Sequence, residues 1–181
     1  MQLGSLDISV PALGRPDLLA APVRTLLSGW PPAEQVGVAP IDPEVSDTAA
    51  FGRAYDVPSV VSANCVVIAG RRGGEERIAA CIVLATTRAD VNTVVKRRLD
   101  VRKCSFLPTD RAVELTGMEY GGITSVGLPD GWPVLVDAAV LEQQLVVIGS
   151  GVRQSKLVLP SALLATLPGA EVIDGLARPI G

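Results

Sequence analysis

Two runs rich in β-branched residues, Val60 to Ala69 and Ile78 to Thr86, flank a turn of glycine and arginine, Gly70 to Gly74. Runs of this length and composition around a glycine pair predict a β-hairpin, with both strands buried on two faces. A hairpin that apolar needs cover, and the rest of the chain must supply it. Apolar residues make up 48% of the 181 residues but aromatics only 3%, so the core is aliphatic and base-stacking aromatic platforms are not expected.

Helical spacing of Leu18, Leu19, Val23, Leu26 and Leu27 predicts a helix over 15–28, kinked at Pro22. Gln35 to Ala39 reads as a short strand. Ser46 and Asp47 can cap a second helix that carries Ala50, Phe51 and Ala54 on its apolar side, and Asp90 a third with Val91, Val94, Val95 and Leu99. Lys103 to Leu107 reads as a strand, and Thr109 to Thr116 as a helix that Gly117 terminates. Strands follow at Pro133 to Asp137, Leu145 to Ile148 and around Lys156 to Leu159, and Pro160 and Ser161 start a last helix that runs through Leu167. Hairpins with interspersed helices predict a single α+β domain with a mixed, mostly antiparallel sheet, open and barrel-like, flanked by helices. Residues 15–176 form that domain in this reading; 1–14 and 177–181 are expected to be loosely attached.

The chain has no histidine, which excludes imidazole bases, Ser-His-Asp triads and histidine metal ligands. Its three cysteines, Cys65, Cys81 and Cys104, form no Cys-x-x-Cys pair, so no metal and no cofactor is expected, and reduced thiols fit a cytoplasmic protein. Residues 1–14 carry Asp7 and no basic residue, unlike a secretory leader. The net charge of −3 leaves room only for local basic surface. Such a surface exists in Lys96, Arg97, Arg98, Arg102 and Lys103, five cations against Asp100, and it suits either phosphate contacts or a solvated helix face.

Two glycine-rich breaks, Gly121-Gly122 and Gly149-Ser150-Gly151, are either turns or backbone nests that offer N–H groups to an oxyanion. Neither matches a phosphate-binding fingerprint. Asn64 is a lone amide in an apolar strand, and either bonds a neighbouring loop or lines a polar pocket.

Read together, these segments resemble the YbaK and prolyl-tRNA-synthetase-associated domain family, whose members hydrolyse wrongly charged aminoacyl-tRNAs. The family's Gly-Gly-Ile-Ser-Pro-x-Gly stretch is similar to Gly121-Gly122-Ile123-Thr124-Ser125-Val126-Gly127, and its Ser-Gly-Gly-x-Arg segment to Gly149-Ser150-Gly151-Val152-Arg153. Thr48 to Tyr55 resembles its Thr- and Ala-rich helix, Asp90 to Lys103 its Asp-Leu-x-x-Leu helix with the basic pair behind, and Val136-Asp137-Ala138 its Ile-Asp-Ala segment. Two positions depart from the pattern: Asn64 stands where the family strand carries lysine, and Ser125 where the loop has proline.

The resemblance implies a deacylase that cleaves the ester of small mischarged amino acids from tRNA in trans. Asn64, Gly121, Gly122, Gly149, Ser150 and Gly151 would carry catalysis, Ile123, Thr124, Ser125, Asp137 and Arg153 would bind substrate, and the basic stretch would hold tRNA. A substrate hydroxyl on the terminal adenosine would help water attack, and the protein would position the ester and stabilise the oxyanion. The expected partners are aminoacyl-tRNA and an aminoacyl-tRNA synthetase, with neither membrane nor DNA. The rival reading is a catalytically impaired module of the same fold that binds tRNA or an amino acid.

Overall fold

The computed structural model describes residues 1–180. In chain order the elements are α1 (Ala21–Gly29), β1 (Gly37–Pro40), α2 (Thr48–Tyr55), β2 (Ala63–Arg72), β3 (Glu75–Leu84), β4 (Thr87–Ala89), α3 (Lys96–Arg98), β5 (Cys104–Phe106), α4 (Thr109–Thr116), β6 (Val134–Asp137), α5 (Ala138–Leu141), β7 (Leu145–Gly149), β8 (Ser155–Pro160), β9 (Ala170–Ile173) and β10 (Ala177–Pro179). Three open sheets result: β5-β2-β3-β6-β9, β1-β8-β7 and the pair β10-β4. Strands β6 and β9 join their sheet in parallel and every other pairing between these strands is antiparallel, which gives the expected mixed α+β domain without a closed barrel among the described residues.

The hairpin forms as its glycines require. Gly73 and Gly74 adopt φ of 59° and 88°, the left-handed geometry of a two-residue turn, and pairing continues out to Arg72 and Glu75. Alternation then sorts the β3 side chains. Ile82 and Leu84 face inward with Val134, Val136, Ile148, Leu157 and Leu159, while Cys81 and Val83 face the opposite layer with Ile68, Val95, Leu99 and Leu176. The first group is the main core, closed by Val23 and Leu27 of α1 between the two larger sheets. The other face of the small sheet carries Ala39, Val147 and Val158 against Phe51 of α2. Fully burying such an aliphatic side chain contributes ~1.5–3 kcal/mol, which lets an aliphatic core of this extent serve without aromatics.

Several expectations are corrected. Pro22 does not kink a longer helix: it stands in the first turn of α1, where its missing N–H has no acceptor to lose, and Pro16–Leu18 form a separate 3-10 turn. The Asp90 helix begins as a π-turn over Val91–Val95, in which the N–H groups of Val94 and Val95 both donate to the Asp90 carbonyl. Crowding among the β-branched Val91, Thr93, Val94 and Val95 disfavours a tight α-turn there. The last helix is a 3-10 segment, Ser161–Thr166. The segments expected to be loosely attached are packed where they are described: Ala12 is fully buried, Ser9 bridges Val38, and Ala177–Pro179 pair with β4, while Gly181 lies outside the described residues. Strand β3 is buried on both faces over Ala79–Leu84, but β2 is not, because Asn64, Cys65 and Val66 open onto a cleft.

Candidate functional site

The two larger sheets meet through a single bridge, Ser62 to Val147. Strands that diverge from one contact leave a gap, and a cleft of about 700 Å³ lies there. The start of β2 forms one wall, the end of β7 and Lys156 of β8 another, the segment 44–51 a third, and Phe106, Leu107, Tyr120 and Gly121 line it as well.

The two glycine loops interlock. The Gly151 N–H donates to the Gly122 carbonyl at 2.8 Å, and the Glu119 N–H donates to the Gly151 carbonyl at 2.8 Å. A Cβ on Gly149 would lie 2.4 Å from the Gly122 carbonyl oxygen, and one on Gly122 would lie 2.6 Å from the backbone of Val152. Close backbone approach is thus what the glycines allow. Gly121, at φ 81°, and Gly149 line the cleft, whereas Gly122 and Gly151 lie behind it. The N–H groups of Gly122 and Gly151 are taken by the Glu119 and Gly122 carbonyls. The Gly121 N–H has no acceptor among the described residues, and Gly121 itself is exposed at the cleft.

Asn64 lines the cleft, and Thr48 at the start of α2 fixes it by donating from Oγ1 to the Asn64 Oδ1 at 2.8 Å. That bond occupies the acceptor end and leaves the amide NH2 to donate. Asp47 caps α2 by accepting from the N–H groups of Ala49 and Ala50, which holds the segment against β2. Ser62 adds a buried hydroxyl without a partner. Burial pushes the Cys65 thiol up to about 12, so at neutral pH it is no nucleophile.

Two cations reach the cleft. Arg153 donates to the Pro43 carbonyl at 2.9 Å, and its backbone N–H donates to the Glu119 carboxylate. Lys156, only 8% exposed, donates from Nζ to the Ser46 carbonyl at 2.9 Å and sits 5.5 Å from the centre of the Phe51 ring. Burial lowers its pKa from 10.5 to about 8, against a raising influence from Asp47 and a lowering one from Arg153.

Of the residues singled out from sequence, Asn64, Gly121, Gly149, Ile123 and Arg153 line the cleft together. Ser150 is fully buried, its hydroxyl bonded to Ser155 and to the Val152 carbonyl, and so braces the loop from behind. Thr124 and Ser125 are buried outside the cleft with unpartnered hydroxyls. Asp137 stands at the start of α5 without a side-chain cap bond, outside the cleft, and burial raises its pKa. Lys96, Arg97, Arg98, Arg102 and Lys103 lie outside it too; Arg98 pairs with Glu171, and Asp100 is held by Arg72 and Arg77. Lys103 lines an adjoining groove with Arg71 and Arg111, and Phe106 and Leu107 belong to both cavities.

Sequence reasoning misses Lys156, Thr48 and the exposed aromatics Phe106 (60% exposed) and Tyr120 (64% exposed) at the cleft. Lysine inside a strand that is otherwise apolar is the available signal, the same kind that marks Asn64. The aromatics carry none, since their exposure follows only from where the elements dock.

The fold has close counterparts. A crystal structure of a proposed trans-editing enzyme for prolyl-tRNA synthetase superposes with a TM-score of 0.72 at 19% identity, covering 86% of this chain and 97% of the other. The crystal structure of the hypothetical protein APE2540 superposes with a TM-score of 0.65 at 20% identity, covering 77% and 86%. At the sequence level, residues 42–167, which hold Asn64, both glycine loops and every residue that lines the cleft, match the aminoacyl-tRNA editing domain, and the chain belongs to that family.

Proposed function

We propose that the protein is an aminoacyl-tRNA deacylase that acts in trans on the esters of small mischarged amino acids. The observation that carries this reading is the convergence of Asn64, Gly121 and Gly149, from three segments far apart in sequence, on one cleft. An aminoacyl ester is already activated, so the protein need only orient it and stabilise charge on its carbonyl oxygen. The Asn64 amide orients the substrate and the Gly121 N–H serves the oxyanion. The free hydroxyl of the terminal adenosine assists the attacking water, as the family resemblance implies. Phe106 and Tyr120 offer apolar faces on which that adenosine can stack at the mouth. Selectivity arises by exclusion, because a closed pocket rejects added bulk more readily than it detects missing bulk.

Hydrolysis assays across a panel of charged tRNAs test the reading. Release of a small amino acid is expected, and the Asn64→Ala variant should be slower by about tenfold to a hundredfold, the loss of one hydrogen bond in a desolvated site. Inactivity of the wild-type protein on every substrate, with tRNA still bound, would instead favour a binding module.

A further inference from the structure

We infer that the Lys156 ammonium is a catalytic cation of the cleft, donating to the ester oxygen on which negative charge develops as water attacks. The inference rests on the deacylase reading and adds a residue that neither the glycine loops nor Asn64 supplies. Strand β8 is the central strand of the small sheet, paired through Lys156 with Ala39 on one side and Gly149 on the other. Its alternation puts position 156 on the face of Val158, which packs in the apolar cluster of Val147 and Phe51. A hydrophobic side chain would complete that cluster at no electrostatic penalty.

Lysine there is instead buried with no carboxylate within ion-pairing distance among the described residues. An ammonium has three N–H donors, and among the described residues only the Ser46 carbonyl accepts from it, with the Phe51 ring supplying a weaker attraction. Burial of a charge so poorly compensated works against folding, and such groups in clefts are candidates for function. Lys156 lines the same cleft as Gly121 and Asn64, so an oxygen acquiring negative charge beside its ammonium would complete the ammonium's shell. In the step, water adds to the carbonyl carbon and the former carbonyl oxygen takes the charge and the Lys156 hydrogen bond. The carbon–oxygen bond to the ribose then breaks, the ribose oxygen takes one proton of the water, the amino acid leaves as carboxylate, and the second proton passes to solvent.

Steady-state kinetics on the best substrate of the panel, over pH 6 to 10, test this. Lys156→Gln should lower kcat roughly 100- to 1,000-fold with little change in KM, the effect of losing one oxyanion donor. Lys156→Met, which keeps the packing, should do the same, and thermal melts establish that both are folded. The wild-type kcat should fall above pH about 8 as the ammonium titrates among Asp47, Glu44, Arg153, Tyr120 and the neutral Cys65 thiol, and Lys156→Gln should lack that limb. A folded variant with wild-type kcat overturns the inference. A rise in KM alone overturns it too, because the lysine would then anchor a ground-state anion such as a nucleotide phosphate. An inactive wild-type protein would fell the deacylase reading and this role together, whereas an active one with an indifferent Lys156 fells only the latter.

Discussion

Along 96–103 five cations crowd a short surface segment, yet Arg98 is paired with Glu171 and Asp100 is clasped by Arg72 and Arg77; in the cleft, one lysine is buried against a carbonyl and a ring, with no ion pair among the described residues. The segment dominates the sequence as a charge pattern, but exposed pairs are screened and contribute little. The lysine is inconspicuous in sequence, but desolvation makes its charge strong toward any ligand that enters. Charge density along a chain and electrostatic strength in a fold are therefore different quantities, and here they fall in different places. The surface segment can attract a polyanion over distance. The cleft can act on a single atom.

The largest expected effect breaks the cleft by its backbone frame. In Gly149→Ala the new Cβ would lie 2.4 Å from the Gly122 carbonyl oxygen, and backbone cannot swing aside as a side-chain tip can. Destabilisation of about 3 kcal/mol is expected, read as a fall in melting temperature of roughly 6–12 °C for a chain this long, together with loss of hydrolysis. An unshifted melt would mean that the loops are not held against each other.

A smaller effect, of opposite sign, sharpens the electrostatic side of the comparison. The native pKa of Lys156 is lowered to about 8 from 10.5, so the native state gives up its proton before the unfolded chain does. Below pH 8 both states are charged and the burial penalty is complete; between 8 and 10.5 the unfolded state binds more protons, so wild-type stability rises with pH. Lys156→Met removes the penalty, worth about 3 kcal/mol at pH 7 before the lost Ser46 bond is counted. Denaturant titrations should find the variant more stable by about 2 kcal/mol at pH 7, with the gap narrowing toward pH 10. A variant less stable than wild type at pH 7 would mean that the ammonium is well solvated where it sits.

The sequence is legible where a signal is local. The Gly73-Gly74 turn, the Asp47 cap and the αL terminator at Gly117, φ 64°, each act within a few residues and can be read in place. Strands β9 and β10 cannot, because they owe their form to distant partners, β6 and β4. The candidate site is half legible for the same reason. Glycine loops and an odd amide announce themselves, and Lys156 is an odd cation of the same kind, but that it is buried in the cleft follows only once Ser46 and Phe51 arrive from elsewhere. Ser150 misleads in the other direction: its place in a glycine motif suggests an exposed group, while its hydroxyl is occupied by Ser155.

The smallest expected effect lies on the surface segment. Arg97, Arg102 and Lys103 are exposed and form no ion pair among the described residues, and Lys103 borders the groove that shares Phe106 with the cleft. If tRNA is drawn in along this face, each cation that neutralises a phosphate releases a counterion and steepens the salt dependence of binding. The triple reversal Arg97→Glu, Arg102→Glu, Lys103→Glu should weaken tRNA binding and reduce the slope of log affinity against log salt by roughly 0.7–0.9 for each phosphate no longer neutralised. Stability should move by less than about 1 kcal/mol, since no buried group is touched, and kcat at saturating tRNA should hold because the cleft keeps its own charge. Arg98 stays out of the set, as reversing it would also set like charges against Glu171. Unchanged affinity and slope would make the segment a solvated face, and would leave the whole electrostatic burden of substrate recognition on the cleft.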